Sequence, residues 1–332
     1  MKKWEITNNG EFYGESGPTG IGIYAWAPNN YYLGQWDNSD RNGLAIRRYE
    51  NGNVRFGMFH DGDMSYPTAI ATANGAIEIL FDIDSNGIEK HLYLDFDNGN
   101  WYFDTYKGDD VVGVRVVYDH SDGSIRMKNY PLGKSCNKEV VIPRHLKLDK
   151  PIIHKVPINF PEIHGFDSFD WDEGTNSAGE TYTSCENSTK TEMGVGAITW
   201  GDGTFALSTW RNGGREGWNV YKWKETYSYF YLDAKLGRTI EIQVYKNSVI
   251  NIADCTKDKW SCMLRYEKGD ISYSYTKDNL YSREGDGFII EGGNTVKFVK
   301  FKDHALQKVI ATYRLDDTLF SGDDKEYKLS FV

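Results

Sequence analysis

Asn-Gly and Asp-Gly pairs recur along this chain at nearly even spacing, and they limit the possible folds more than any other feature. Eleven such pairs occur, with their glycines at positions 10, 43, 52, 62, 75, 87, 99, 123, 203, 213 and 287. Both members of such a pair tolerate the positive φ that a tight hairpin turn requires. The spacing therefore predicts one hairpin after another, with about 23–24 residues for each pair of strands, a period typical of repeat proteins. Repeats of this kind usually build binding surfaces and not single catalytic pockets.

The composition supports a protein made of sheets. Aromatic residues make up 15% of the 332 residues, with 23 Tyr, 16 Phe and 10 Trp, while hydrophobic residues make up only 39%. Aromatic side chains pack well across neighbouring strands, and a helical bundle would need more Leu and Ala. We expect an all-β fold: an elongated, curled antiparallel sheet of β-hairpin repeats, with a less regular C-terminal β region.

Proline divides the chain into three regions. Residues 1–130 are the better-ordered repeat array, 131–192 form an extended connector, and 193–332 form a C-terminal β region that begins with the same repeat. The connector holds five of the eight prolines, at 131, 143, 151, 157 and 161. Proline removes a ladder donor, so we expect only short edge strands there, for example Glu139–Ile142 or Ile152–Val156.

Aromatic and β-branched runs between the turns predict the individual strands. In the N-terminal region they are Tyr31–Trp36, Val54–Phe59, Ala76–Phe81, His91–Phe96, Trp101–Tyr106 and Val114–Tyr118. In the C-terminal region they are Thr226–Leu232, Thr239–Tyr245, Ile271–Tyr275, Thr295–Phe301, Val309–Leu315 and Tyr327–Phe331. The segment Asp303–Ile310 has two interpretations, a short helix capped by Asp303 or a loop followed by a strand.

Four segments share one arrangement of small and aromatic residues. They are Gly20 and Gly22 with Trp26, Gly43 and Ala45 with Tyr49, Gly194 and Gly196 with Trp200, and Gly217 and Asn219 with Trp223. The three positions of each segment have the same parity, so on a strand they lie on one face. A glycine leaves a gap in a sheet, and we expect a large ring from a neighbouring strand to cover the exposed backbone.

A second element has the form aromatic-x-Gly-x-aromatic, at Tyr32, Gly34 and Trp36. Together with Gly43, Tyr49, Gly52 and their counterparts Gly194, Gly196, Trp200 and Gly203, it resembles the MORN repeat (membrane occupation and recognition nexus) over about residues 11–62 and 194–224. The resemblance implies antiparallel hairpins, roles in scaffolding, protein contact or membrane attachment, and no chemistry of their own.

The net charge of −10 and the isoelectric point near 5.3 limit the choice of partners. An acidic chain is repelled by nucleic-acid phosphates and by anionic lipid headgroups, so we expect neither nucleic-acid binding nor membrane attachment. The first residues carry no apolar run of the signal-peptide type, and none of the four cysteines forms a C-x-x-C pair, which favours free thiols and a cytoplasmic protein. The expected partner is a protein, and open sheet edges or ends also allow a homodimer.

Sequence signatures of catalysis and of cofactor binding are absent, and we expect neither a cofactor nor a metal. The histidines at 145, 154 and 164 lie near Cys136 and Cys185 in the sequence, but their spacing matches no closed zinc site. The densest acidic segment contains Asp167, Asp170, Trp171, Asp172 and Glu173. Three interpretations of it stay open: a solvated loop with anchored aromatics, a calcium or other metal site, and a pair of glycosidase carboxylates beside sugar-stacking rings.

Two functions follow from these observations. The first is a non-enzymatic binding or scaffold protein whose hairpin repeats contact another protein. The second is a carbohydrate-binding or carbohydrate-hydrolysing protein that uses exposed Trp and Tyr rings, with Trp101, Trp171, Trp210 and Trp218 as candidates, and the acids of 167–173.

Overall fold

A computed structural model shows how the predicted strands are arranged. It describes residues 3–7, 10–14, 19–95, 98, 100–119, 121–130, 139–142, 162, 169–187, 194–235, 237–246, 250–254, 261–276, 282–292, 295–314 and 330–331. Throughout these ranges the regular elements are β-strands, and they contain no helix. The prediction of an all-β fold is confirmed.

Twenty-eight strands follow one another along the described chain. The first fourteen are β1 Lys3–Thr7, β2 Gly10–Gly14, β3 Gly20–Ala27, β4 Asn30–Asp37, β5 Asp40–Arg48, β6 Val54–His60, β7 Asp63–Ala71, β8 Ala76–Ile83, β9 Ile88–Asp95, β10 Trp101–Lys107, β11 Asp110–Val111, β12 Gly113–Asp119, β13 Ser124–Tyr130 and β14 Glu139–Ile142. The others are β15 Phe169–Thr175, β16 Thr181–Asn187, β17 Gly194–Trp200, β18 Phe205–Arg211, β19 Gly214–Trp223, β20 Thr226–Asp233, β21 Gly237–Val244, β22 Ile250–Asp254, β23 Ser261–Glu267, β24 Asp270–Thr276, β25 Arg283–Glu291, β26 Thr295–Lys302, β27 Ala305–Arg314 and β28 Ser330–Phe331.

The strands form two antiparallel sheets that are not closed. Strands β1 to β14 make the first sheet and β15 to β28 the second, and in both sheets strands that are consecutive in the sequence are neighbours in space, except that β10 pairs with both β11 and β12. Such a meander is what a chain of short hairpins produces.

Two-residue turns with positive φ join many of the strands. At Asp61-Gly62 and Asn212-Gly213 both central residues have positive φ, as in the hairpin turns predicted from these pairs. Lys268-Gly269 makes the same turn without an Asn or Asp. Asp303-His304 also forms such a turn, and β27 follows it, so the strand interpretation of Asp303–Ile310 is confirmed and the helix is wrong.

Gly99 lies outside the described residues, and three of the other ten glycines belong to strands and not to turns. Gly10 is the first residue of β2. Gly43 lies within β5 and Gly287 within β25. Gly43 has a φ of +96° beside a register shift between β4 and β5, so it belongs to a bulge and not to a hairpin loop. An Asn-Gly pair serves a bulge as well as a turn because both require positive φ at glycine.

The segment expected to be a connector contains regular sheet. Glu139–Ile142 is the edge strand β14 that the sequence predicted, whereas Ile152–Val156 lies outside the described residues. Residues 169–187 differ from the expectation, because they form the hairpin β15–β16, and β16 also pairs with β17. The prolines all precede this hairpin, so nothing in it prevents ladder hydrogen bonds.

The chain divides into two compact units, and each contains strands of both sheets. Unit 1 comprises residues 1–77, 156–239 and 243–246. Its core lies between the two sheets, where the ring of Phe56 on β6 is 5.1 Å from Trp218 on β19 and 5.6 Å from Tyr229 on β20. All three rings are at most 1% exposed. Burial of such rings is the main stabilising contribution in a two-layer sheet protein.

Unit 2 comprises residues 78–155, 240–242 and 247–332 and has its own aromatic core. Phe81 stacks on Tyr266 at 4.4 Å, while Trp101 and Tyr118 of the first sheet contact Phe288 of the second at 6.0 and 5.7 Å. In this unit too the two sheets pack face to face, and the aromatic residues that suggested sheet structure fill the space between them.

Candidate binding surface on the outer sheet faces

The outer face of unit 1 is the side of each sheet that points away from its core. Side chains alternate along a strand, so the residues on either side of Phe56, namely Arg55 and Gly57, lie on this outer face of the first sheet. The same alternation places Trp200, Tyr221 and Trp223 on the outer face of the second sheet, because Val220 and Trp218 point into the core.

A row of small residues crosses the outer face of the first sheet. Gly22 lies opposite Gly34, Gly34 opposite Ala45, and Ala45 opposite Gly57. The row is closely packed, since a Cβ added to Gly34 would lie 2.4 Å from the Cβ of Ala45. The small residues thus form a shallow groove, as expected from their shared parity.

Four aromatic rings fill this groove. Trp36 donates its Nε1–H to the carbonyl oxygen of Gly22 at 3.2 Å, and its ring is 4.9 Å from Tyr32 and 5.4 Å from Phe12. Phe59 packs against Tyr32 at 5.2 Å. Together with Ala45 these four rings form a hydrophobic cluster that is buried even though it lies outside the core. Rings therefore cover glycine backbone here, as the sequence predicted.

The rings that cover glycine are, however, not the ones that the sequence suggested. Trp36 lies against Gly22, and Trp210 lies against Gly196, where an added Cβ would be 2.8 Å from its Nε1. Trp26 is 40% exposed and Trp223 is 50% exposed, so these two rings leave the glycine gaps uncovered. Both residues lie near the ends of their strands, beyond the glycines that they were expected to cover.

A fixed spacing identifies the covering ring, and sequence reasoning missed it. In four hairpins the first glycine of the Gly-x-small segment pairs with an aromatic residue 16 positions later: Gly20 with Trp36, Gly43 with Phe59, Gly194 with Trp210, and Gly285 with Phe301. A hairpin with a short turn places these positions opposite each other.

Unit 1 contains an internal repeat. Residues 20–49 align without a gap with residues 194–223, 174 positions later. Eight residues of the first copy recur in the second: Gly20, Gly22, Trp26, Leu33, Trp36, Asn38, Arg41 and Gly43. Both copies also have a register shift immediately before the covering tryptophan, at Gly34/Trp36 and Ser208/Trp210. Corresponding residues on the two outer faces can therefore be compared directly.

In the first copy, arginines lie over the exposed rings. The guanidinium of Arg47 is 4.0 Å from the ring centre of Trp26 and 4.8 Å from that of Tyr49, and Arg55 is 5.9 Å from Tyr49. We call these four residues the arginine–ring cluster. Arg47 and Arg55 lie directly opposite each other on β5 and β6, an arrangement that costs free energy by repulsion.

The charge of the arginine–ring cluster is not neutralised by acids. Neither Arg47 nor Arg55 forms an ion pair with any residue that the structure describes. Burial lowers the pKa of Arg47 to about 10; the nearby Tyr49 opposes the shift, and Arg41 adds to it. A partly buried cation whose neighbours destabilise its charge favours contact with an anionic group.

In the second copy, the corresponding rings line an open cleft. Tyr221 takes the place of Arg47, and Trp200 and Trp223 take the places of Trp26 and Tyr49. Trp200 and Tyr221 meet almost at right angles with their ring centres 6.3 Å apart. These three rings, with Glu180, Asp202 and Arg215, enclose a cavity of about 280 Å³. We call it the ring cleft.

The acidic segment forms a strand beside the ring cleft and not a loop. Asp170, Asp172 and Glu173 are exposed on β15, and Phe169 is buried, while Asp167 and the side chain of Trp171 lie outside the described residues. Asp170 pairs with Glu186 on β16. Burial raises the pKa of Glu186, and the charges of Asp172 and Asp170 raise it further. Asp170 and Asp172 thus share a sheet face with a carboxyl that holds its proton more tightly than usual, whereas Glu173 lies on the opposite face.

Three of the four tryptophans named for sugar binding are buried, and the side chain of the fourth, Trp171, lies outside the described residues. Trp101, Trp210 and Trp218 are 3%, 8% and 1% exposed, so they have no surface to offer a ligand. They belong to the core or to the rings that cover glycine. Among the described residues of unit 1, the exposed tryptophans are Trp26 and Trp223, which the sequence had assigned to structure.

Metal binding receives no support within the described ranges. They contain no group of three or more His, Cys, Asp or Glu side chains arranged to hold a metal ion. Cys185 is a buried residue of β16, and Cys136 and the histidines at 145, 154 and 164 lie outside these ranges. No helix among the described residues is long and apolar enough to cross a membrane.

Unit 2 has a larger polar basin of about 450 Å³ on β23 to β26. The guanidinium of Arg283 lies 4.4 Å from the ring centre of Phe301 and donates to Ser272 Oγ, and Arg265 pairs with Glu267 at 2.9 Å. Burial lowers the pKa of His304, and Arg283 and Arg265 lower it further. Because its arginines already have partners, this basin is a weaker candidate for a ligand site than the ring cleft.

Comparisons with known proteins do not identify these sites. No family model matches the chain, and no curated protein is significantly similar to it.

Proposed function

We propose that this protein is a non-enzymatic binding protein whose MORN-like hairpin repeats contact a protein partner in the cytosol. The observation that supports this proposal is the arginine–ring cluster, in which Trp26 is 40% exposed and two arginines lie opposite each other without an acidic partner among the described residues. Exposed tryptophan and arginine are the residue types that contribute most binding energy at protein interfaces.

The charge of the cluster indicates the kind of partner. The chain carries a net charge of −10, so it repels most acidic proteins at long range. An acidic segment that reaches Arg47 and Arg55 gains two cations without displacing an ion pair, whereas a basic segment meets like charge. The partner proposed here therefore presents a short acidic segment next to an apolar side chain that packs on Trp26.

Affinity capture from lysate with a double variant tests this proposal. Arg47→Gln with Arg55→Gln removes both charges but keeps the length of the side chains, and the exposed Arg314→Gln is the matched control. We expect the wild type and the control to recover the same partner, the double variant to lose it, and recovery to fall as salt is raised. A partner recovered equally by all three chains would contradict the proposed surface.

Carbohydrate binding is the second candidate function, and the ring cleft favours it. The cleft combines the exposed ring of Trp223 and two half-buried rings with carboxylates in one cavity, and Asp172 and Glu186 lie on the same sheet face. Hydrolysis would require one protonated and one ionised carboxyl group, and the raised pKa of Glu186 favours the protonated form of that residue. Release of reducing sugar from polysaccharides, abolished by Glu186→Gln, would establish catalysis; a chain that binds but releases nothing is a lectin.

A further inference from the structure

The ring cleft and the arginine–ring cluster occupy the same place in the two copies of the internal repeat, but they are filled differently. In the first copy the guanidinium of Arg47 lies over the rings of Trp26 and Tyr49 and covers their faces. In the second copy Tyr221 replaces Arg47, and the space between the rings is a cavity of about 280 Å³. The first copy therefore provides its own planar polar group where the second leaves room for a ligand.

Polar groups of both signs surround the rings of the cleft. Asp202 accepts a hydrogen bond from the backbone N–H of Thr204 at 2.8 Å, which lowers the pKa of its carboxyl. Glu180 accepts one from the side chain of Asn176 at 2.8 Å. Arg215 forms no ion pair with a residue that the structure describes. The cleft thus offers two carboxyl groups as acceptors and one strong donor next to apolar ring surface.

We propose that the ring cleft of Trp200, Tyr221 and Trp223 binds a neutral saccharide of one or two sugar rings. A sugar presents apolar C–H faces that pack on aromatic rings, and hydroxyls that both donate to Glu180 and Asp202 and accept from Arg215. The volume of about 280 Å³ is at the lower end of small-molecule sites, which suits a short glycan.

The charges in and around the cleft disfavour the other ligand classes. A cationic side chain would meet Arg215, and also Lys224, whose ammonium already lies 4.6 Å from the ring centre of Trp223. An anion would meet Glu180 and Asp202, and nucleic acid is repelled by the net charge of −10. A neutral ligand with many hydroxyls avoids both penalties and uses all three charged groups. This assignment rests on the second candidate function, carbohydrate binding at the ring cleft, and not on the proposed protein contact, which uses the first copy.

Glycan-array screening of the whole chain, followed by calorimetric titration of the strongest hits, tests the assignment. We expect saturable binding that Trp223→Ala weakens by about tenfold or more, because half of this ring is exposed and its loss removes stacking surface without opening the core. Asp202→Asn and Arg215→Gln are expected to weaken the same binding by removing hydrogen bonds to charged groups.

Tyr49→Ala is the matched control, since Tyr49 takes the place of Trp223 in the copy that Arg47 fills. It is expected to leave glycan affinity unchanged, and thermal unfolding should show that all variants remain folded. Failure of every glycan to bind the wild-type chain, or binding that Trp223→Ala leaves intact, would overturn the assignment. So would a peptide that binds the wild type and not Trp223→Ala, and is not displaced by sugar.

Discussion

Glycine contributes to this protein through the space it leaves as well as through its freedom in turns. Along the row from Gly22 to Gly57, the absence of a side chain lets Trp36 and Tyr32 pack against the outer face of the sheet. The ring of Trp36 stays buried there and gains a hydrogen bond to the Gly22 carbonyl. The unusual content of glycine and aromatic residues is thereby explained by a single packing arrangement.

Gly34→Ala is expected to destabilise unit 1 by about 1–3 kcal/mol, because the new methyl group overlaps the Cβ of Ala45. Denaturant unfolding measures the change. Gly214→Ala is the control, since its added Cβ meets nothing closer than 3.7 Å, and it should cost far less. Adding Ala45→Gly to Gly34→Ala should restore only the part of the loss that the Ala45 Cβ causes, because the new methyl group also lies 2.9 Å from the Ala45 Cα and from the Leu44 carbonyl oxygen. An equal cost for the single and the double variant would show that the two positions do not share this space.

At the scale of single elements, hairpin turns decide the register of the strands. Several two-residue turns have positive φ at both central positions, including Asn38-Ser39, with φ of 49° and 75°. Serine is strained in this region, whereas glycine is not. The backbone N–H of Asn38 also donates to Thr19 Oγ1, which links this turn to the start of β3.

Ser39→Gly is therefore expected to raise the free energy of unfolding by about 0.5–1 kcal/mol, because it relieves the strain at a φ of 75° and gives the turn its preferred Asn-Gly sequence. Chemical denaturation measures the effect. Ser39→Ala loses the same hydroxyl group but keeps the Cβ, so it should not raise the free energy of unfolding. If both variants behaved alike, the lost hydroxyl and not the backbone conformation would explain the result.

At the scale of the whole molecule, pH acts on stability through the histidine of unit 2 that is held between two acids. His91 lies 2.7 Å from Glu78 and 3.0 Å from Glu89. Burial alone would lower the pKa of His91, but hydrogen bonds to both carboxylates outweigh it and raise the pKa above its ordinary value. A raised folded-state pKa means that this contribution to stability is complete below the unfolded pKa and is lost as pH rises through the folded one.

The free energy of unfolding is accordingly expected to decrease between about pH 6 and pH 8 as His91 loses its proton. Denaturation curves measured at intervals across this range give the slope. His91→Gln keeps a hydrogen-bonding side chain without a titrating group, and the part of the slope due to this site should disappear in that variant. A slope that His91→Gln leaves unchanged would assign the pH dependence to other residues.

The sequence predicts the fold of this protein more completely than it predicts the candidate site. Turn pairs and aromatic alternation predicted β4, β6 and β10 to within a few residues, because both depend on local backbone preferences. The roles of Trp26 and Trp36 could not be separated in this way, since burial depends on which strands become neighbours. The ring cleft was missed for the same reason: Glu180 and Tyr221 come from hairpins that are far apart in the sequence.

The internal repeat has a consequence for how such a chain changes over time. Because the repeat is present in two copies, the copy that contains Arg47 can keep its packing while the residues that line the cavity of the other copy change. The residue at one position of the repeat, Arg47 in the first copy and Tyr221 in the second, then decides whether the space between the rings is filled or open. Protein engineering can use the first copy directly. A smaller side chain in place of Arg47 would open a second cavity there, and the selectivity of that cavity could be evolved independently of the ring cleft.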